Sequence, residues 1–502
     1  MESETSVNMP KFQNESLIGI KSLLKETLDN SVAHAIFKII ETPIFTLKVF
    51  LFVCVILSSG LCSYLIIELI MSYLSYGVST TTRTIYETPA LFPKITICNI
   101  NPFTTKYAFE FLKQINEEVA PNSNVFNDEQ MNHLDLLTKL DIIEKIKIKA
   151  IFKMNELNET GKRKLSHPID EILVKLKSFS CTPSDFAWYF DPWYGNCWMI
   201  NSGLNKMGQR EALIKKSLSG ENYGLKMGCY VNFYRNLTII NSSPMYGGGL
   251  GALIRIDNSS FLTYYISFDG IKLEPGKIVS LGVSRSFKSI LPRPYSNCLI
   301  DNETNAGFRS ELFDLIQKSD YRYTQSLCFF QCWQREILLK CNCTDPARVS
   351  LFPNAKKCIR HNETNCMFNM WTNDDTFFQV NCSSDCPLEC YSDAFDFSLS
   401  SYKLTPKYYL EYLNSNLTNL KDDFQMDKID ADMAKESFVY LTIFYKSLSF
   451  ELSTETPQLT LITLFANMGG HLGLFLGMSV FSLFEPIQVL IEIVCMKLYK
   501  KF

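Results

Sequence analysis

The feature that most constrains this chain is an uncharged stretch near the C-terminus, residues 459–484, LTLITLFANMGGHLGLFLGMSVFSLF. Its 26 residues contain no Asp, Glu, Lys or Arg, and a helix needs about 20 apolar residues to cross the hydrocarbon core of a bilayer. A second uncharged run, residues 49–67, lies near the N-terminus and contains 19 residues. The two runs predict two membrane helices, over residues 43–74 and 458–485.

The C-terminal run contains small residues that a simple anchor does not need. Gly469, Gly473 and Gly477 recur every four residues, a spacing that lets two membrane helices approach closely. Alternatively, the helix opens at Gly477-Met478-Ser479, so that backbone carbonyls face a water-filled pore and replace the hydration shell of an ion. The two interpretations are compatible, and the spacing alone leaves both open.

Cysteines and glycosylation motifs are concentrated between the two runs. Of the 17 cysteines, 14 fall between Cys98 and Cys390, and an even number in one block indicates disulfides in an oxidising compartment. Apart from Asn14, every N-x-S/T sequon lies in the same part of the chain, which indicates that it is extracellular. These sequons are Asn158, Asn236, Asn241, Asn258, Asn302, Asn342, Asn362, Asn381 and Asn416.

The ends of the chain are predicted to be cytoplasmic. Residues 1–42 contain no signal-peptide pattern, and lysines flank the inner side of both runs, as the positive-inside rule requires. We therefore predict a multi-pass plasma-membrane protein in contact with membrane lipids. It has a cytoplasmic N-terminus (1–42), an extracellular domain (75–457) and a short cytoplasmic tail (486–502).

Charge and composition exclude several functions. A net charge of −3 over 502 residues does not suit a nucleic-acid-binding protein, which carries a basic face. The five histidines form no recognisable catalytic or metal-binding pattern, and no phosphate-binding loop is present. We therefore expect neither an enzyme nor a cofactor or metal site.

The extracellular segment combines strand and helix patterns. Runs rich in Val, Ile and Thr, such as residues 92–103, predict strands. Residues 104–180 repeat apolar side chains at spacings of three and four, which predicts surface helices. The charges on one of these helices are expected to form a solvated face: Asp141, Glu144, Lys145 and Lys147.

The C-terminal run resembles the second membrane segment of the degenerin, epithelial sodium channel and acid-sensing ion channel family. The shared pattern is GG-x-x-GLF-x-G-x-S followed by Glu, matched by Gly469, Gly470, Gly473, Leu474, Phe475, Gly477, Ser479 and Glu485. FPKITICN at residues 92–99 and SVAHAIFKII at residues 31–40 are similar to further motifs of that family.

The resemblance implies a subunit of a trimeric, amiloride-sensitive, sodium-permeable channel, assembled with two further subunits of the family. Two membrane helices flank a disulfide-rich α+β extracellular domain, with a palm sheet, a helical finger (about 104–195) and a helical thumb (about 299–415). The implied site residues are a selectivity filter (Gly477, Met478, Ser479), a gate at the degenerin position (Ala466, Asn467), a gating motif (His34, Ala35), coupling tyrosines (Tyr76, Tyr295) and the inner end of the pore (Glu485).

Two departures from the family pattern have expected consequences. Ala35 replaces the usual glycine of the gating motif, and this change is expected to lower the gating efficiency of a homotrimer. Asn467 stands where acid-sensing relatives have Asp, so one ring of charge at the outer mouth is missing. The missing ring is expected to weaken the attraction of divalent cations.

The family also implies the cysteine pairing. The implied disulfides are Cys98–Cys197, Cys298–Cys390, Cys328–Cys386, Cys332–Cys382, Cys341–Cys366 and Cys343–Cys358. Cys181 and Cys229 are left over, and we expect them to pair with each other. Zinc binding by the closely spaced cysteines is the alternative, but the oxidising setting and the absence of a matching histidine pattern disfavour it.

The stimulus is the least constrained property. Tyr295 in LPRPYSNC resembles the invertebrate peptide-gated (RFamide-gated) branch, so an extracellular neuropeptide ranks first. Protons rank second, because few histidines are available to titrate near neutral pH, and a constitutive or mechanical role ranks third. A two-span ATP-gated trimer would lack this filter pattern. The alternative of another class is a non-conducting glycosylated receptor or auxiliary subunit.

Overall fold

The computed structural model describes residues 39, 42–127, 133–173, 181–231, 249–258, 270–300, 310–371, 382–405, 410–411 and 430–478, and the single positions 484, 487, 488, 490, 491 and 494. The chain divides into two compact units. The terminal unit comprises Met1–Thr80 and Glu455–Phe502, and the central unit is Thr81–Thr454.

The helices of the described residues are numbered in chain order. They are α1 (Phe45–Leu74), α2 (Lys106–Val119), α3 (Leu136–Met154), α4 (Glu159–Lys164), α5 (Ile169–Ile172), α6 (Glu311–Gln317), α7 (Gln325–Cys341), α8 (His361–Trp371), α9 (Ala431–Ser437) and α10 (Leu461–Leu476). The strands are β1 (Val78–Tyr86), β2 (Ala90–Leu91), β3 (Lys94–Asn99), β4 (Phe186–Asp191), β5 (Gly195–Ile200), β6 (Lys215–Lys216), β7 (Leu225–Tyr230), β8 (Ala252–Asp257), β9 (Ile271–Leu273), β10 (Lys277–Ser289), β11 (Tyr391–Lys403) and β12 (Phe438–Pro457).

The terminal unit contains the two apolar helices. Within the described ranges, α1 is the one helix long and apolar enough to cross a membrane, and its 30 residues span about 45 Å. The 16 residues of α10 span about 24 Å, which is shorter than a hydrocarbon core of about 30 Å. A second membrane span over residues 458–485 therefore remains a prediction beyond Met478, where only single positions are described.

The described residues of the central unit include two five-stranded sheets. One has the order β1-β12-β10-β11 with β7 also pairing to β12, and the other has the order β4-β5-β3-β8-β9. The parallel pairing of β10 with β12 joins segments far apart in sequence, whereas β11 pairs antiparallel with β10. Buried aliphatic residues of both sheets form one core, including Ile95, Ile254, Leu281 and Ile443.

Helices of the described part of the central unit share a second core. Thr105 begins α2 by accepting a hydrogen bond from the N–H of Ala108 (3.1 Å), and Thr324 begins α7 in the same way. Such caps satisfy backbone donors that have no partner inside the helix. The apolar faces of α2, α3, α6 and α7 meet in a cluster that includes Leu112, Ile146, Ile316 and Leu327.

Six disulfides cross-link the central unit, with the six pairings that the family implies. Cys98 and Cys197 are directly opposed on β3 and β5. Cys328 and Cys332 lie one turn apart on α7 and bind Cys386 and Cys382. Because these sulfurs are bonded to each other, they are not available as thiolate ligands for zinc.

The seventh expected pair is wrong in this structure, where Cys181 and Cys229 are unpaired thiols. The sulfur of Cys181 lies 3.7 Å from the carbonyl oxygen of Lys226 on β7, and Cys181 is near enough to Cys229, on the same strand, to contribute to the raised pKa of that thiol. Burial raises the pKa of each thiol to about 12. Both thiols are therefore protonated and unreactive at neutral pH.

The prediction that the charged residues of α3 form a solvated face is wrong for one of them, Lys147. Asp141 and Lys145 are exposed and form an ion pair (2.7 Å), but the side chain of Lys147 is buried. Burial, together with repulsion from Lys272, lowers the pKa of Lys147 to about 8. Alternating charge along α3 did not reveal that Lys147 lies on the packed side of the helix.

The burial of Lys147 predicts a pH dependence of stability. Because its pKa is about 8 in the folded chain and about 10.4 in an unfolded one, the unfolded state binds more protons between these values. The contribution of Lys147 to the free energy of unfolding should therefore rise from about pH 8 to about pH 10. Lys147→Met should remove this contribution and raise stability at pH 7, while the similar contribution of Lys94, whose pKa is also lowered to about 8 by burial, remains.

Thermal unfolding of the purified full-length protein across this pH range measures the effect. Lys145→Met is the matched control, because Lys145 is an exposed neighbour on the same helix. Equal pH profiles for Lys147→Met and the unmodified chain would contradict the prediction.

Candidate ion-conducting site

The two helices of the terminal unit contact each other through opposed stripes. On α1 the less exposed residues recur at spacings of three and four, as at Leu51, Val55, Ser58 and Cys62, and Cys62 is fully buried. On α10 the less exposed residues include Leu464, Met468, Leu472 and Phe475. At 100° per residue, these four positions lie on one side of α10.

Among the described residues, nothing covers the opposite side of α10. Ala466, Gly470, Gly473 and Gly477 follow at intervals of four, three and four residues, which places them on one helical face. Ala466 is exposed, and a Cβ added to Gly470 or Gly477 would have no neighbour within 4 Å among the residues that the structure describes. The glycine spacing therefore does not serve the packing of α10 against α1.

The helix ends at the residue that the sequence assigns to the filter. Gly477 adopts the left-handed conformation (φ 67°, ψ 18°), which glycine tolerates because it has no Cβ. Its N–H donates to the carbonyl oxygen of Gly473 (3.1 Å), and that of Met478 donates to Leu472 (3.3 Å). The backbone thus leaves the helix at Gly477, where the sequence predicts opening of the helix.

The remaining predicted site residues are distributed over both units. Asn467 is exposed on α10, one residue beyond Ala466. Tyr76 follows α1 in a left-handed conformation (φ 51°), with its ring 6.5 Å from that of Tyr73. Tyr295 is half-buried in the central unit, and its N–H donates to the carbonyl oxygen of Pro292 (3.1 Å). A coupling role for Tyr76 and Tyr295 remains a prediction.

Several predicted residues lie outside the described ranges: His34, Ala35, Ser479, Glu485 and the sequons Asn236, Asn241, Asn302, Asn381 and Asn416. Of the other sequons, Asn158, Asn342 and Asn362 are exposed, and Asn258 is half-buried. Exposure leaves the first three accessible to a glycan, and glycosylation at all nine remains a prediction.

A cavity of about 520 Å³ lies in the central unit between α2, α3 and α8. This volume is in the range of small-ligand pockets. Its apolar wall includes Ile148, Ile359 and the rings of Phe152 and Phe368, which stack with centroids 6.1 Å apart. The sequence motifs gave no indication of it, because its lining comes from segments more than 200 residues apart.

The polar side of the cavity is formed mainly by α2 and α3. Glu118 accepts a hydrogen bond from Lys149 (2.8 Å) and another from Lys153. Although burial acts in the opposite direction, these lysines lower the pKa of Glu118. His361 and Asn365 complete the rim, with His361 Nε2 3.1 Å from the side-chain nitrogen of Asn365. The site combines an apolar wall with both signs of charge.

Two buried groups bear on proton sensing. Burial lowers the pKa of His167 to about 4, so this histidine stays neutral in the range where an acid sensor titrates. Asp345 is fully buried, and burial raises its pKa despite Arg348 and the N–H of Ala347. A carboxyl with a raised pKa releases its proton closer to neutral pH.

These features define the class of protein. Two apolar helices pack together, and a large α+β domain is cross-linked by disulfides. The family model of the amiloride-sensitive sodium channel matches residues 27–489. The chain belongs to this family, whose members are membrane-embedded ion channels, and the resemblance inferred from the sequence motifs is confirmed.

Individual relatives share about a quarter of their aligned residues with this chain. The chain is 24% identical over 485 residues to the degenerin-like protein asic-2 of Caenorhabditis elegans, covering 90% of this chain and 82% of that protein. It is 27% identical over 363 residues to degenerin del-1 of Caenorhabditis elegans (71% and 49%). It is 26% identical over 337 residues to the epithelial sodium channel gamma subunit of Xenopus laevis (65% and 46%). The chain spans about half the length of the last two.

Proposed function

We propose that this chain is one of three subunits of a sodium-permeable, amiloride-sensitive channel whose pore is lined by the open face of α10. The observation that carries the proposal is that the predicted gate residue Ala466 and the predicted filter residue Gly477 share this face. The helix also ends at Gly477. Non-helical backbone at membrane depth is tolerated where it lines a water-filled cavity.

The proposal includes a topology. Residues 1–42 and 486–502 are cytoplasmic in the plasma membrane, residues 43–74 and 458–485 cross it, and residues 75–457 are extracellular. Six disulfides in the central unit support this arrangement, because disulfides persist in oxidising compartments.

We propose an extracellular neuropeptide as the stimulus. The cavity between α2, α3 and α8 supports this choice, since a wall of aromatic and aliphatic side chains suits apolar side chains of a peptide. Its charged rim includes Glu118 and Lys149, which can orient polar groups of such a ligand. Proton gating is the second candidate, supported by the raised pKa of the buried Asp345 carboxyl.

Whole-cell current at a fixed negative voltage in oocytes expressing this chain tests the proposal. Amidated neuropeptides and a drop to acid pH are applied in turn, with amiloride and sodium replacement as controls. A peptide-evoked, amiloride-blocked sodium current is expected. Phe368→Leu should raise the peptide concentration for half-maximal current, whereas Leu136→Ala, exposed on α3 outside the cavity lining, should not.

Each of the other possible results would support a different stimulus, subunit composition or function. A current evoked by acid alone, and reduced by Asp345→Asn, would replace the peptide with protons as the stimulus. Silence of this chain alone would indicate a heterotrimer, given Ala35 in the gating motif. Silence after co-expression with related subunits as well would favour a non-conducting receptor.

A further inference from the structure

We propose that Ser58 of α1 is a positioning residue for the selectivity filter, an assignment that rests on the proposed channel function. The Oγ of Ser58 donates a hydrogen bond to the carbonyl oxygen of Phe475, at a distance of 2.5 Å. The bond joins the two apolar helices of the terminal unit, and Phe475 lies two residues before Gly477. No motif of the filter run points to α1.

The position of the accepting carbonyl gives this bond its importance. The last four carbonyls of a helix have no partner within the helix, and α10 ends at Leu476. The N–H groups of Gly477 and Met478 fold back onto Gly473 and Leu472. The carbonyl of Phe475, which follows Leu472 by about one turn, instead accepts a hydrogen bond from the hydroxyl of Ser58. Where no water reaches, a backbone carbonyl must find a partner in the protein.

Neighbouring serines of α1 show that this contact is specific. The hydroxyl of Ser59 donates to the carbonyl of Ile56 (3.1 Å), and that of Ser63 donates to the carbonyl of Ser59 (2.9 Å). Both bonds stay within α1, as is usual for serine in an apolar helix. Of these three serines, Ser58 is the one whose hydroxyl reaches α10.

The bond fixes the peptide group from which the filter segment continues. An ion in a filter is selected by the positions and field strength of the surrounding carbonyl dipoles. Rotation of the peptide after Phe475 would move Gly477 and Met478 with it, because they follow directly in the chain. Ser58 therefore acts on selectivity through the end of α10, without contacting the ion.

The test compares Ser58→Ala with Ser58→Thr, which keeps a hydroxyl, and uses Ser59→Ala and Ser63→Ala as matched controls. The readout is the sodium-to-potassium permeability ratio from bi-ionic reversal potentials, which does not depend on the number of channels. Ser58→Ala should lower the ratio about threefold, the average worth of one hydrogen bond between membrane helices. The other three variants should keep it.

Failure of this assignment is distinguishable from failure of the proposed function. A sodium-selective parent channel with an unchanged ratio in Ser58→Ala overturns the role of Ser58, even if the current amplitude falls. An equal change in Ser59→Ala also overturns it, because that hydroxyl bonds within α1. No amiloride-blocked current from the parent chain under any stimulus or subunit combination overturns the channel function and the Ser58 assignment together.

Discussion

Gly477→Ala should abolish sodium selectivity or current. The described part of the chain leaves space for a methyl group, since none of its atoms lies within 4 Å of the added Cβ, but φ of 67° is unfavourable for alanine. The left-handed conformation costs an L-residue about 1–2 kcal/mol, a factor of about 5–30 in the population of this backbone. If all three subunits must adopt it together, the factors multiply. Reversal potential and current amplitude in the same cells measure the effect.

Gly469→Ala is the matched control for this variant. Among the described residues, Gly469 is equally open to an added methyl group, but it lies within α10, where alanine is the preferred residue. If the glycines serve mainly to let helices of neighbouring subunits approach, Gly469→Ala should be at least as damaging as Gly477→Ala. That result would contradict the filter assignment of Gly477 and favour the packing interpretation.

Sequence was informative where one local property decides the structure. The end of α10 at Gly477 was predictable because a glycine among small residues marks a place where a helix can open. The pairing of the thumb cysteines was predictable from the order of disulfides that the family implies, together with the spacing of the cysteines. Cys328 and Cys332 lie on one face of α7, and their partners lie four residues apart as well. The apolar run near the N-terminus likewise predicted α1.

Sequence failed where the structure depends on contacts between distant segments. Arg285 is an example: it is buried at a shift in register, where β10 pairs Val283 with Tyr445 but Arg285 with Phe450. Its guanidinium bonds Glu87 (2.5 Å) and the carbonyl of Leu448 (2.9 Å). An alternating strand pattern gives no sign of this irregularity, because the compensating carboxylate lies 198 residues away.

The functional residues that the sequence did not indicate also depend on contacts between distant segments. Ser58 is one of several small polar residues in α1, and its role depends on which side of α1 faces α10. The cavity in the central unit requires α2 and α3 to meet α8, which comes from a different segment of the chain. Lys147 was misassigned because charge alone does not show which face of α3 is packed.

Loss of the Cys98–Cys197 disulfide should give the largest change in stability. The bond closes a loop with a sequence separation of 99, and in the chain-entropy model a loop of about 100 residues is worth up to about 4.7 kcal/mol. Cys98→Ala and the double variant Cys98→Ala/Cys197→Ala should lose similar amounts, because each removes the same single bond. Denaturant unfolding of the purified full-length protein measures both losses.

Cys181→Ala and Cys229→Ala are the controls, because both residues are also buried but carry free thiols. Each should cost about 1 kcal/mol for lost packing. The two losses should add if the residues do not interact, whereas partners in one bond give strongly non-additive losses. A large and equal loss from either single variant, with no further loss in the double variant, would show that Cys181 and Cys229 are bonded in the mature protein, contrary to the structure.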